Sequence, residues 1–202
     1  PVGLSEAISQ VTDTDLQQVG VEYFDLVLIH RPCHDHSDFP DKCGAKFKED
    51  RIDTWRGLEQ LRKDGKARAI GVSNFNAEQV RQLTDAGYHP AVNQVQWHLG
   101  YHNDTFLEEM RSLGVKVEAW APLSGPTKEH DIPGISLSDP RLRAVADRYN
   151  ASTAQVALQW SIKKGVAPVT ATCNKSHAVG DLETMSFNLS NADMLYLDRL
   201  KE

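Results

Sequence analysis

The chain has 202 residues, a net charge of −6, 40% hydrophobic residues and 25% charged residues. This balance belongs to a globular protein rather than a disordered one, and the acidic charge argues against a general nucleic-acid surface. No apolar run approaches the roughly 20 residues a membrane helix needs, and the first ten residues lack a secretory pattern, so the expected compartment is cytoplasmic.

Leu4 to Val19 carries a partial apolar stripe of Leu4, Ala7, Ile8, Val11 and Leu16, which predicts a helix stopped by Gly20. Residues 24–30 form an unbroken apolar run after Asp25, the mark of a strand buried on both faces. A long polar loop, 31–51, follows. At the end of a strand such a loop is either a substrate lid or a plain surface insertion. Cys33, His34, His36 and Cys43 lie within eleven residues of it. Such a set could ligate zinc, but the spacing matches no standard zinc module, and a structural loop is the expected reading. With Cys173 the cysteines number three; an odd count fits a reducing compartment better than a disulfide scaffold.

Ile52 to Asp64 keeps Ile52, Trp55, Leu58 and Leu61 on one helical face. A strand is expected over 68–74, then a helix over 77–86 capped by Asn76. A strand over 91–98, a helix over 105–113 with Phe106, Met110 and Leu113 inward, and a strand over 115–121 come next. Residues 123–137 form a second long loop. Ser138-Asp139-Pro140 opens a helix with Pro inside its first turn. Ser152 and Gln155 form an expected capping box for a helix running to Lys164. A strand over 166–172 and a final helix beginning at Ser190, with Met194, Leu197 and Leu200 on one face, complete the chain.

Strands alternating with helices imply βαβ units and a parallel sheet. The expected class is α/β, a (β/α)8 TIM barrel present as an incomplete barrel of about five parallel βα units. Residues 1–202 are read as a single partial barrel domain, since a whole barrel typically takes about 250 residues. The chain begins with Pro1 and is therefore read as a fragment or processed product. Strands 24–30 and 166–172 should be the sheet edges, covered by a partner chain or a missing N-terminal segment. In barrels of this type the chemistry sits at the C-terminal strand ends. Those ends carry His30, Ser73, Asn74, Gln94, Gln96, Trp120 and Thr172.

Leu28-Ile-His-Arg-Pro32, Gly71-Val-Ser-Asn-Phe75, Val92-Asn-Gln-Val-Gln-Trp-His98 and Ala119-Trp-Ala-Pro-Leu-Ser124 resemble the aldo-keto reductases. They look like the fourth to seventh barrel strands of that family, in order. Thr170 to Asn174 and Phe187 to Ser190 look like the eighth strand and the adenine-side loop. The resemblance covers essentially the whole chain and implies the C-terminal two-thirds of the barrel.

The resemblance implies a reductase of aldehydes and ketones that uses NADPH, with NADH possible, and takes a small-molecule carbonyl substrate. The family binds this cofactor without a Gly-rich pyrophosphate loop, and the sequence contains no Gly-x-Gly-x-x-Gly. His30 matches the family histidine that donates to the carbonyl oxygen. Ser73, Asn74 and Gln94 match the contacts to the nicotinamide carboxamide, and Trp120 matches the aromatic ring stacked on the nicotinamide. Leu123, Thr172 and Asn174 fall at further cofactor-binding positions. No metal is implied. A structural strand-end His and a core Trp are the plain alternatives for His30 and Trp120.

The Lys-Ser pair and Arg that grip a 2′-phosphate in many members are replaced here by Ala171, Thr172 and His177, while Lys175 could meet a phosphate as a point charge. The family's general acid, a Tyr in a Tyr-x-Asn-Glu segment, and its Asp and Lys are not found in the 202 residues. Two functions follow. One is an NAD(P)H-dependent carbonyl reductase, or the C-terminal fragment of one. The other is a truncated, non-catalytic relative serving as a structural or regulatory subunit.

Overall fold

A computed structural model describes residues 8–33, 43–123 and 134–200. The chain divides into two compact units, Pro1–Val95 with Asp104–Lys116, and Gln96–Asn103 with Val117–Glu202.

The first unit opens on a π-helical stretch, Gln10–Asp15, that runs into α1, Leu16–Val19. Gly20 ends it as expected: at φ 75° it takes the left-handed conformation, and its N–H returns to the Leu16 carbonyl at 2.9 Å. Strand β1 (Phe24–Ile29), helix α2 (Lys48–Lys63), β2 (Ala67–Ser73), α3 (Ala77–Asp85), β3 (Val92–Gln96) and α4 (Asp104–Ser112) follow. β1 pairs with β2 in parallel from Phe24↔Ala67 to Ile29↔Val72. β2 pairs with β3 in parallel at Val72↔Asn93 and Ser73↔Gln94. Gly71 permits this close pairing, since a Cβ there would lie 2.6 Å from the Val92 carbonyl oxygen and 2.8 Å from a Leu28 methyl.

The helices bury the residues their periodicity selects. α2 buries Ile52, Trp55, Leu58 and Leu61, α3 buries Val80 and Leu83, and α4 buries Leu107 and Met110. α2 begins four residues before the expected Ile52, because its first turn is polar and carries no apolar signal. α4 turns Leu107 inward and leaves Phe106 and Leu113 half-buried.

The second unit holds all but the first residue of β4 (Lys116–Trp120), with α5 (Pro140–Arg148), α6 (Thr153–Lys163), β5 (Val166–Val169), α7 (Lys175–Glu183) and α8 (Asn191–Asp198). β4 and β5 pair in parallel from Val117↔Val166 to Trp120↔Val169. The capping box of Ser152 and Gln155 is formed. Trp160, on α6, is fully buried, stacks on Trp97 at 5.9 Å and donates from Nε1 to the Asp198 carboxylate at 2.7 Å.

Several expectations change. β5 stops at Val169 instead of reaching 172, because residues 169–174 are exposed and the chain turns through Thr172 and Asn174 into α7. α7 itself was not expected; it buries no residue, so it carries no apolar stripe to read. The expected reduced cysteines are also corrected. Cys33 and Cys43 are 3% and 1% exposed, with Cα atoms 5.4 Å apart, and form a disulfide. That distance suits a disulfide. Only Cys173 stays free among the cysteines, so the odd count reflects one bridge plus one exposed thiol. His34 and His36 lie outside the described residues; among those described, no cluster of metal-ligating side chains occurs.

Candidate active site

The ends of β1 and β2 and the middle of β3 meet in one hydrogen-bonded cluster. Ser73, at the end of β2, is 4% exposed, and its Oγ donates to the Gln94 backbone carbonyl at 2.7 Å. The Asn74 N–H donates to the same carbonyl at 2.9 Å. Asn74 Nδ2 reaches across to the His30 carbonyl at 3.0 Å and to Ser73 Oγ at 3.2 Å. Asn74 holds φ 60°, in the left-handed region that Asn visits more readily than most residues. This turn takes the chain out of the ladder and places Asn76 to cap α3. Asn76 Oδ1 accepts from the Gln79 N–H at 2.9 Å, and the Gln79 side chain accepts from the Asn76 N–H at 3.0 Å.

The His30 side chain stands exposed, one residue beyond the last paired residue of β1. The chain just beyond it is held at Pro32 and at Cys43. Arg51, 1% exposed, donates to the carbonyls of Pro32, Cys43 and Gly44 at 3.2–3.4 Å and to Gln82 Oε1 at 2.7 Å. Burial lowers the Arg51 pKa from its usual value, with Asp50 opposing. Gln79 Nε2 adds a bond to the Cys43 carbonyl at 2.9 Å. Together with the disulfide, these contacts tie Pro32 and Cys33 to Cys43 and Gly44.

In the second unit, Trp120 ends β4 half-buried, Ala121 turns at φ 51°, and Leu123 is half-buried beyond it. Thr172 Oγ1 accepts from the Asn174 N–H at 3.0 Å. Asn174 Oδ1 accepts from the N–H and hydroxyl of Ser176 at 2.9 and 2.7 Å, capping α7. Thr172, Asn174, Lys175 and His177 are exposed. The same unit buries His98, which is 1% exposed. Desolvation, with His102 adding repulsion, pushes its pKa down to about 4.

His30, Ser73, Asn74 and Gln94 are thus brought together by their own strands, while Trp120, Leu123, Thr172 and Asn174 are placed in the other unit. A cleft lined by Arg56, Arg62, Lys63, Tyr88 and His89 lies instead where chain enters β2 and β3, at the opposite ends of those strands. Sequence reasoning passed over Arg51 and Asn93. Arg51 sits in a polar helical turn and gives no sequence signal of burial. Asn93 gives none either, since β3 reads Val-Asn-Gln-Val-Gln and nothing in that run sets this amide apart from Gln94 and Gln96.

The chain is an α/β protein built on parallel strand pairs. The Aldo/keto reductase family matches residues 3–202, and the chain belongs to that family. It is 34% identical over 191 residues to the glyoxal reductase of Bacillus subtilis (strain 168), covering 94% of the chain and 61% of the relative. It is 32% identical over 194 residues to the morphine 6-dehydrogenase of Pseudomonas putida, covering 93% and 62%. Among solved structures, the Bombyx mori aldo-keto reductase AKR2E4 in complex with NADP superposes with a TM-score of 0.83 at 27% identity, over 98% of the chain and 63% of that protein. The Brucella melitensis aldo/keto reductase gives 0.82 at 26% identity, over 98% and 69%. The expected fold class is borne out by these superpositions. The chain spans about three fifths of the length of the curated relatives it matches.

Proposed function

We propose that the chain is the C-terminal two-thirds of the barrel of a carbonyl reductase that uses NADPH, with NADH a possible second cofactor, acting on aldehydes and ketones. The observation that carries this reading is the cluster formed by the ends of β1 and β2 with the middle of β3. A nicotinamide carboxamide has one acceptor oxygen and one amide with two donor hydrogens. Ser73, Asn74 and Gln94 offer neutral hydroxyl and amide groups of matching chemistry and add no charge beside the reacting carbon. The residues present therefore fit the group.

The bound nicotinamide would supply a hydride to the carbonyl carbon. Ser73, Asn74 and Gln94 would hold its carboxamide, and Trp120 would stack on one face and leave the other to substrate. As negative charge grows on the carbonyl oxygen, a donor aimed there lowers the barrier. His30 is the residue proposed to give that hydrogen bond from its imidazole N–H. Thr172 and Asn174 would line the path of the adenosine half, with Lys175 nearby for a phosphate. Further strands, from a preceding segment or a partner chain, would cover β1 and β5, each of which has one paired neighbour among the described residues.

Trp120 is half-buried, and cofactor affinity is read from the fluorescence of the reduced nicotinamide itself, which does not depend on Trp120. Titration with NADPH and NADH should show saturable binding of both. Trp120→Ala should weaken binding of both; unchanged affinity in that variant would remove Trp120 from the site.

A further inference from the structure

The side chain of Asn93 continues the β2–β3 ladder for one step after the backbone has left it. Asn93 is 0% exposed. Its Nδ2 donates to the Phe75 carbonyl at 2.8 Å, and its Oδ1 accepts from the Phe75 N–H at 3.4 Å. Nδ2 also lies 3.7 Å from Met110 Sδ, which closes the site from α4. Phe75 is 1% exposed, so water cannot replace either bond, and a buried peptide group left unpaired is costly.

The geometry explains why an amide stands at this position. The last backbone bond of the ladder runs from the Asn74 N–H to the Gln94 carbonyl, which also accepts from the Ser73 hydroxyl. Asn74 then turns at φ 60°, and Phe75 is the residue that must be held if that turn is to persist. A primary amide presents a donor and an acceptor at once, as a strand's own peptide group does. Asp lacks the donor, Ala lacks both, and Ser is too short to reach both atoms. From Phe75 the chain passes directly to the Asn76 cap of α3. Asn74 is therefore pinned from behind by Gln94 and from ahead by Asn93.

We infer that Asn93 is a positioning residue: through its two bonds to Phe75 it holds Asn74 in the left-handed turn that aims the Ser73–Asn74 pair at the nicotinamide carboxamide. This rests on the cofactor reading above. Asn93 touches no ligand itself; it acts by fixing a neighbour.

The test compares two ligands on the natural protein that carries this chain. One is NADPH; the other is 2′-phospho-ADP-ribose, the same molecule without the nicotinamide. Asn93→Ala and Asn93→Asp should each bind NADPH on the order of tenfold more weakly while binding 2′-phospho-ADP-ribose as the wild type does. Parallel weakening of both ligands would show a general structural role and overturn the inference, as would unchanged NADPH affinity. If either variant fails to fold, Asn93→Ser, which keeps one hydrogen-bonding group, is read in the same way. In an Asn74→Gly background the Asn93 substitution should add little further loss, because its target is gone; full additivity would overturn the coupling. A wild-type protein that binds neither ligand would overturn the cofactor reading itself, a result distinct from the others.

Discussion

Asn74 ties the end of β2 to the end of β1: its Nδ2 donates to the His30 carbonyl at 3.0 Å. The residue proposed to meet the substrate oxygen and a residue proposed to meet the cofactor are thus joined by one bond. The bond uses the His30 backbone, which leaves the imidazole available for other work.

Two substitutions separate the backbone and side-chain parts of this arrangement. Asn74→Gly keeps the φ 60° turn and removes the side-chain bonds. Asn74→Ala removes the bonds and also carries a left-handed penalty of about 1 kcal/mol relative to glycine. Urea denaturation should therefore find the Ala variant less stable than the Gly variant by about 1 kcal/mol. Equal stability would show that the turn carries no strain. Both should weaken NADPH binding.

Stability should fall in mild acid. The His98 imidazole titrates at about 4 when folded and at 6.5 when exposed. Between those values the unfolded chain binds more protons than the folded one, so stability is fully present above pH 6.5 and is lost as pH falls from there toward 4. At pH 5 the loss should reach up to about 2 kcal/mol relative to neutral pH. His98→Gln should flatten this part of the profile. A wild-type profile flat from pH 7 to 5 would show that His98 is not held neutral.

The Cys33–Cys43 bridge closes a short loop with a sequence separation of ten. Reducing it, or making Cys33→Ser, should cost about 2–3 kcal/mol by the loop-closure relation. The measurement is a urea midpoint with and without dithiothreitol. Thiol labelling in denaturant should find Cys173 reactive before reduction and Cys33 and Cys43 reactive only after it; labelling of Cys33 and Cys43 before reduction would mean the bridge is not formed.

The fold was legible where one force dominated. β1 reads as an apolar run, and α2, α3 and α6 read from their core faces, with Asn76 and Ser152 marking their starts. α7 was missed because Leu182, at 78% exposure, and Val179 face outward, leaving only the Asn174 cap as a signal. The disulfide was missed because an odd number of cysteines does not say which two meet. His30, Ser73, Asn74 and Gln94 could be picked out through strand position and motif. Asn93 could not, because its partner, Phe75, is set by the pairing of β2 with β3 rather than by nearness in sequence.

The most direct measurement is steady-state oxidation of NADPH by the natural protein with a panel of aldehydes and ketones, repeated for His30→Ala. The expected result is turnover that falls by about 10²–10³-fold in kcat in the variant, the loss of one aimed donor to a developing oxyanion, with NADPH affinity retained. Binding of NADPH without turnover on any carbonyl, or full turnover in His30→Ala, would contradict the assignment of carbonyl reduction to this site.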